Sequence, residues 1–272
     1  MKLRIATCAS LPEIDNDEAP LATALAAAGI DARLVAWDDV TADWDAPLPT
    51  ILRSTWNYAL DLEGFLAWID RAAASGPVWN PPDVVRRNVR KRYLLELVAC
   101  GVPVVPTTLV ERGATIRLPH ERLVIKPEVG AGSLGTRVFA AGDPAAAAHL
   151  ASLTAQGAAL IQPFITSVDG YGERSLVWID GEVTHAMRKG PRFAGDVEQV
   201  TGPVPIADDE RAVANAALAP VVDHIFYGRV DLARDANDQP MVMEVELVEP
   251  SLFFPKHPAA LDRYVSWLCR RL

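Results

Sequence analysis

The spacing of strand and helix signals changes character part-way along the chain, and no single layered sheet accommodates both halves. Residues 2–7 carry a β-like apolar run, 18–28 an alanine-rich helix closed by Gly29, and 32–37 a second β-like run, which makes a βαβ opening. A short strand at 50–53, a helix over 62–74 stopped by Gly76 and Pro77, and a strand at 78–79 continue the alternation. A small doubly wound domain ending near residue 85 is the expectation. After the turn Asn80-Pro81-Pro82, residues 84–100 read as one helix with an apolar stripe at Leu94, Leu95, Leu97 and Val98, closed by Gly101. From Val102 onward short β runs separated by turns take over, with helices only over 144–155, 208–226 and 258–272. This half is α+β and mostly antiparallel. Two hairpins are expected, 176–179 with 182–186 across Asp180-Gly181, and 230–233 with 241–247 across 235–239.

Composition excludes several classes of function. At 272 residues, 50% hydrophobic and 22% charged, the chain is globular. Its 26 basic against 35 acidic residues give a net charge of -9, and no basic run tracks a phosphate backbone, so nucleic acid is not an expected partner. No stretch approaches the ~20 apolar residues of a membrane helix. The opening Met1 to Ala9 reads as a strand rather than a secretion signal, so no membrane partner and a cytoplasmic location are expected. Cys8, Cys100 and Cys269 are odd in number and lack CxxC spacing, which argues for reduced thiols over a disulfide framework or a zinc site. The C-terminal helix with Trp267 and Leu268 suits a core or an interface between copies equally, which leaves a homo-oligomer open.

Gly130-Ala131-Gly132-Ser133-Leu134-Gly135 spells GxGxxG, but the dinucleotide fingerprint must open a helix, and residues 136–140 are β-branched and apolar. No Lys-Ser or Lys-Thr follows the last glycine, so a P-loop fails too. What remains is a glycine turn between strands 122–127 and 136–140, either an ordinary flexible loop or a cradle whose amides fold over phosphate oxygens. Lys126, one of five lysines, ends the apolar run Leu123-Val124-Ile125. An ammonium at that depth needs an anion such as a phosphate, unless it snorkels from the strand end.

In the last hairpin, alternation puts Glu244 and Glu246 on one face with Val242 and Val248, leaving Met243, Val245 and Leu247 on the other, and a turn centred near 237 places Asp231 opposite Glu244. Like charges at ~5 Å repel by on the order of 1 to 3 kcal/mol per pair, so three such acids call for a cation. Oxygen-only ligands favour Mg²⁺ or Mn²⁺, and a solvated acidic face is the alternative. On the cation reading, Glu244→Gln leaves the metal-free protein equally or slightly more stable. Arg188-Lys189 and Arg229 could meet phosphate oxygens, although Arg229 could equally pair with one of the acids. His185 reads as structural. Trp56 reads as core, and Arg53, Asn57 and Tyr58 around it could hold a small polar substrate.

A phosphate lysine, a glycine turn between strands and an Asp, Glu, Glu hairpin in that order resemble the ATP-grasp superfamily. The resemblance covers residues 88–250 and implies an ATP-grasp fold, with an N-terminal βαβ domain at 1–87 and two nucleotide-clasping lobes at 88–165 and 166–272. By the same resemblance Lys91 and Lys126 are the nucleotide lysines, with Gly132 and Ser133 in the phosphate turn. Gln162, Phe164 and Ile165 lie in the segment that meets adenine, and Glu173 holds the ribose. Arg188 sits on the transferred phosphate, with Lys189 and Arg229 beside it, and Asp231, Glu244 and Glu246 hold the metal. Most relatives have Glu-x-Asn where this chain has Glu244-Val245-Glu246, which bears on metal preference. Arg53-Ser54-Thr55-Trp56-Asn57-Tyr58, Asn80-Pro81-Pro82-Asp83-Val84 and 244–252 are similar to the glutathione-synthetase-like branch that includes a cycloserine-forming cyclo-ligase. Arg53, Asn57, Glu249 and Ser251 are its substrate candidates. That branch carries a basic residue in the loop after Arg188-Lys189, where Asp196-Val197-Glu198-Gln199 supplies none clearly.

The resemblance implies an ATP-dependent carboxylate-amine ligase acting through an acyl phosphate on small amino-acid-like carboxylate and amine substrates, with ATP and Mg²⁺ or Mn²⁺ as cofactors. A ring-closing ligase acting within one substrate and a nucleotide-binding protein without turnover are the alternatives.

Overall fold

The first sheet is wholly parallel, with strand order β2-β1-β3-β4 built from β1 (Lys2–Thr7), β2 (Asp31–Ala36), β3 (Thr50–Leu52) and β4 (Val78–Trp79). Helix α1 (Glu18–Ala27) ends at Gly29, whose φ of +75° is a left-handed exit that glycine adopts without a Cβ clash. Helix α2 (Leu62–Ser75) is capped by Asp61, whose side chain accepts from the Gly64 amide at 2.9 Å. The strand order changes direction between β1 and β3, so the loops that leave their C-terminal ends form a crevice there.

The computed structural model describes residues 1–190 and 199–272; Asp196-Val197-Glu198 lie outside the described residues. Two short helices follow the first sheet, α3 (Pro82–Asn88) and α4 (Tyr93–Ala99), where the sequence reads as one helix over 84–100. The break has a cause: Asn88 donates to Val245 O at 2.8 Å and accepts from Leu247 N at 2.7 Å, and the Lys91 amide donates to Glu128 O at 2.9 Å. Residues 89–92 are thereby drawn off the helix axis, and Lys91 turns inward.

The second sheet, β5-β8-β6-β7, is antiparallel and comprises β5 (Thr108–Val110), β6 (Leu123–Pro127), β7 (Arg137–Phe139) and β8 (Ala159–Pro163), with α5 (Pro144–Gln156) packed on it. After the short α6 (Ser167–Gly170), the third sheet runs β11-β10-β9-β12-β13, from β9 (Glu173–Ile179), β10 (Glu182–Lys189), β11 (Val200–Val204), β12 (Tyr227–Arg234) and β13 (Pro240–Glu246). The β9–β10 turn is Asp180-Gly181, both with positive φ. Helix α7 (Asp208–Leu218) stops short of the expected 226, because Pro220 has no N–H to continue the ladder. In the last hairpin Asp231 faces Glu244 and Leu232 faces Val242, so Met243 is an extra residue. This bulge inverts the expected parity: Val242 joins Val245 and Leu247 in the core, and Met243 faces the cleft.

Helix α8 (Pro258–Arg271) ties the first and third sheets together. Its Tyr264, Val265, Trp267 and Leu268 share one core with Leu3 and Ile5 of β1 and with Val177 and Ile179 of β9. Among the described residues no helix is long and apolar enough to cross a membrane.

Candidate active site

A cavity of about 770 Å³ lies where the three sheets meet. Strand β6 shows how it is built. Leu123 and Ile125 point into the core beneath α5, and the intervening Val124 and Lys126 face the cavity. Lys126 is 8% exposed, and among the described residues its ammonium has neither an ion-pair nor a hydrogen-bond partner. Burial pushes its pKa down, and Glu244 opposes that shift. The glycine turn follows at once. Gly132, Ser133 and Gly135 all have left-handed φ (+56°, +62° and +72°), and a Cβ at Gly135 would come within 3.2 Å of the Pro127 ring. No helix succeeds the turn, only β7.

The other cations of the site are paired. Lys91 donates to Glu244 Oε1 at 2.9 Å and to Gly130 O at 2.6 Å; burial opposes its charge, but Glu244 leaves its pKa raised. Lys189 bonds Asp231 Oδ2 at 2.8 Å and also pairs with Glu173. Arg229 grips both oxygens of Asp231, at 2.9 and 3.0 Å, and pairs with Glu246. Burial opposes ionisation of Asp231, yet Arg229 and Lys189 hold its pKa well below the carboxylate range. Burial raises Glu173 to about 7 and Glu246 to about 6.

The structure brings Lys91, Lys126, Gly132, Ser133, Gln162, Phe164, Ile165, Glu173, Lys189, Arg229, Asp231, Glu244 and Glu246 to this one cavity, with Asn57, Glu249 and Ser251. Two expected residues point elsewhere. Arg188 alternates with Lys189 along β10, and its guanidinium donates to the carbonyls of Tyr171 and Gly170 at 2.8 and 2.7 Å, away from the cavity. Arg53 is 2% exposed and donates to Asp17 at 3.1 Å beneath the loop that follows β13. Arg229 takes up the acids it faces, which is the pairing left open by the sequence. Trp56, expected in the core, lines the cavity and donates through Nε1 to Glu249 O at 3.0 Å. Ser10, Glu13 and Phe253 also line it, and nothing in their spacing marks them; chain crossing alone brings them there. Arg122 stacks 3.5 Å over the Phe164 ring and fixes that wall.

The three acids share a face as expected, but each is drawn to a basic side chain, and among the described residues no three acids or other ligands converge as a ready-made metal cage. The donor chemistry still suits a hard divalent cation. Glu244 and Glu246 are oxygen donors at the cavity wall, 28% and 26% exposed, and a lysine and an arginine stand at their oxygens in this structure.

Comparison with known proteins places these features in context. Residues 3–80 match the family model described as D-cycloserine synthetase DcsG, N-terminal domain. The cycloserine biosynthesis protein DcsG of Streptomyces lavendulae is 38% identical over 97% of this chain and 96% of its own length. The crystal structure of D-cycloserine synthetase DcsG superposes with a TM-score of 0.90 at 34% identity, covering 100% of this chain and 99% of that one. The D-alanine–D-alanine ligase of Bacillus anthracis (TM-score 0.71, 13% identity, 100% and 98% covered) and a RimK-domain ATP-grasp protein of Sphaerobacter thermophilus (0.68, 18%, 98% and 98%) share the fold.

Proposed function

The chain belongs to the D-cycloserine synthetase DcsG family, with the ATP-grasp fold, and from that premise we propose an ATP-dependent carboxylate-amine ligase that works through an acyl phosphate and releases ADP and phosphate. One observation carries the reading: Lys126, a buried ammonium with no ionic partner among the described residues, borders a left-handed glycine turn at the cavity. A polyanion such as a nucleotide triphosphate satisfies both at once.

The residues divide the work by position. Lys91 and Lys126 hold phosphate oxygens, the amides of the turn fold over them, and Gln162, Phe164 and Ile165 form the wall for the base, with Glu173 toward the ribose. Lys189 and Arg229 face the phosphate that leaves for the carboxylate, and Arg188 serves the fold at 170–172. Glu244 and Glu246, with Asp231 behind them, would hold Mg²⁺ or Mn²⁺, which when bound would neutralise charge on the nucleotide's phosphates. Little covalent chemistry is asked of the protein; positioning and charge neutralisation supply most of the acceleration. We assign 1–87, 88–165 and 166–272 to the N-terminal lobe and the two clasping lobes. The expected setting is the cytoplasm, with small-molecule carboxylate and amine substrates.

A second reading is favoured by the near full-length likeness to DcsG: both reacting groups belong to one amino-acid-like substrate, and ligation closes a ring. ATP, Mg²⁺ and a panel of small amino acids, with hydroxylamine as trap, test the mechanism. An ATP-dependent hydroxamate with ADP and phosphate is expected, and AMP with pyrophosphate refutes it. A product lighter than the substrate by one water distinguishes ring closure from joining two molecules.

A further inference from the structure

Arg90-Lys91-Arg92 puts three cations side by side, and of the three Lys91 alone lines the cavity. Lys91 is buried, whereas the arginines on either side of it are half-exposed. One carboxylate sorts them. Glu128, two residues after Lys126 and 3% exposed, lies outside the cavity lining and pairs with both arginines, with Arg92 through Nε and with Arg90 through Nη1 at 3.8 Å.

The backbone completes the clasp. Glu128 N donates to Ala158 O at 2.9 Å, just before β8, and Glu128 O accepts from the Lys91 amide at 2.9 Å. Lys91 Nζ in turn donates to Gly130 O at 2.6 Å, so both ends of this lysine are held by the segment that leads from β6 into the glycine turn. Asn88 ties the preceding residues to β13, and Glu128 ties the following ones to β6. A buried carboxylate between two half-exposed arginines adds little to stability, because screened partners offset only part of its desolvation. What such a group does supply is geometry: it decides which of three adjacent cations turns inward.

We propose that Glu128 is a positioning residue for the nucleotide, acting through Lys91. By drawing Arg90 and Arg92 to the outer side of the segment, it aims the Lys91 ammonium at the phosphate oxygens. The proposal rests on the ligase reading, in which Lys91 holds phosphate. With the charge of Glu128 removed, the ammonium loses its fixed alignment, while the wall that meets the base is untouched.

Calorimetry on the full chain with Mg²⁺ tests it, comparing a non-hydrolysable ATP analogue with adenosine. Glu128→Gln should weaken binding of the analogue about fivefold or more and leave adenosine within about twofold; in a Lys91→Met background the same substitution should change the analogue's affinity by less than about twofold. The paired change Arg90→Gln with Arg92→Gln, confined to half-exposed side chains, should reproduce the loss at about threefold or more. Four results overturn the proposal and leave the ligase reading standing: an unchanged affinity for the analogue in Glu128→Gln, an equal loss for adenosine, a loss that persists in full without Lys91, or an unchanged affinity in the paired arginine variant. A parent chain that does not bind the analogue overturns the ligase reading and the proposal together.

Discussion

Lys126 and Glu244 occupy the same cavity, yet removing their charges should have opposite effects on the unliganded protein. Lys126 is desolvated with no ionic partner among the described residues, so its charge costs stability that only a bound anion returns. Lys126→Met should weaken binding of an ATP analogue tenfold or more, about 1.4 kcal/mol, and raise the melting temperature of the unliganded protein. Calorimetry and thermal unfolding check the two halves; an unchanged affinity removes Lys126 from the nucleotide site. Glu244 is the counter-ion of Lys91, itself buried. Mutual repulsion among Asp231, Glu244 and Glu246 predicts from sequence that Glu244→Gln leaves the metal-free protein as stable or slightly more so. The structure reverses that expectation, because each acid already has a cation and the substitution leaves Lys91 with a carbonyl in place of a charge. A loss of roughly 1–3 kcal/mol is expected, less than for a fully buried pair because Glu244 is partly exposed. Denaturant unfolding without Mg²⁺ measures it, and activity should fall more than ATP affinity does.

At the junction of β10 with the start of α8, His185 and His257 stack with ring centroids 4.6 Å apart and 4° between planes. His185 Nε2 lies 3.0 Å from Leu252 O, so the pair also supports the loop behind the cavity. Burial first, and the neighbouring His257 second, lower the His185 pKa from 6.5 to about 4. The folded state therefore keeps this ring neutral while the unfolded chain protonates it. Stability is complete above pH 6.5 and is lost as pH falls toward 4, by up to roughly 3 kcal/mol. Urea unfolding at pH 7.5 and 4.5 should show that loss, and His185→Gln should remove most of it; an equal loss in the variant would place the effect elsewhere. Elements like this junction also mark what the sequence conceals. Hairpins announced by Asp180-Gly181 and by the alternation around Asp231 were legible because turn chemistry and a period of two are local properties. The break at residues 89–92 was not, because it is imposed by Asn88 bonding a strand more than 150 residues away. Strict alternation misplaces Val242 and Met243, because a bulge leaves no mark in apolar spacing. Arg188 and Lys189 are adjacent and on opposite faces, and resemblance alone could not say which faces the phosphates. Arg53 reads as a substrate residue until its partner, Asp17, is seen to hold the loop behind Glu249.

Across the whole molecule the hydrophobic cores are unequally shared, and this should govern how the cavity opens. The first and third sheets are joined through α8, since Leu3, Ile5, Val177, Ile179, Tyr264 and Leu268 form one cluster. Asn80 adds to the junction by donating to Tyr227 O and Leu247 O at 2.8 and 2.7 Å. The second sheet instead buries Val110, Leu123, Ile125, Phe139, Leu150 and Ile161 in a smaller cluster beneath α5 and, among the described residues, reaches the core of the third sheet only through Leu160 and the partly buried Leu109. A unit with its own small core opens at lower free energy than the elements locked into a shared one. In the unliganded protein the amides of β6 and β7 should therefore exchange hydrogen faster than those of β1, β9 and β12. Nucleotide held by Lys126 on β6 and by Lys189 on β10 would join the second sheet to the third. At a hundredfold excess over Kd, binding can add up to about 2.7 kcal/mol to the protection of β6, while openings confined to the first sheet gain little. Hydrogen exchange read by mass spectrometry, with and without Mg²⁺ and an ATP analogue, resolves these segments. Protection that rises equally in all three sheets would mean that the second sheet does not open on its own, and that its separate core is no hinge for nucleotide entry.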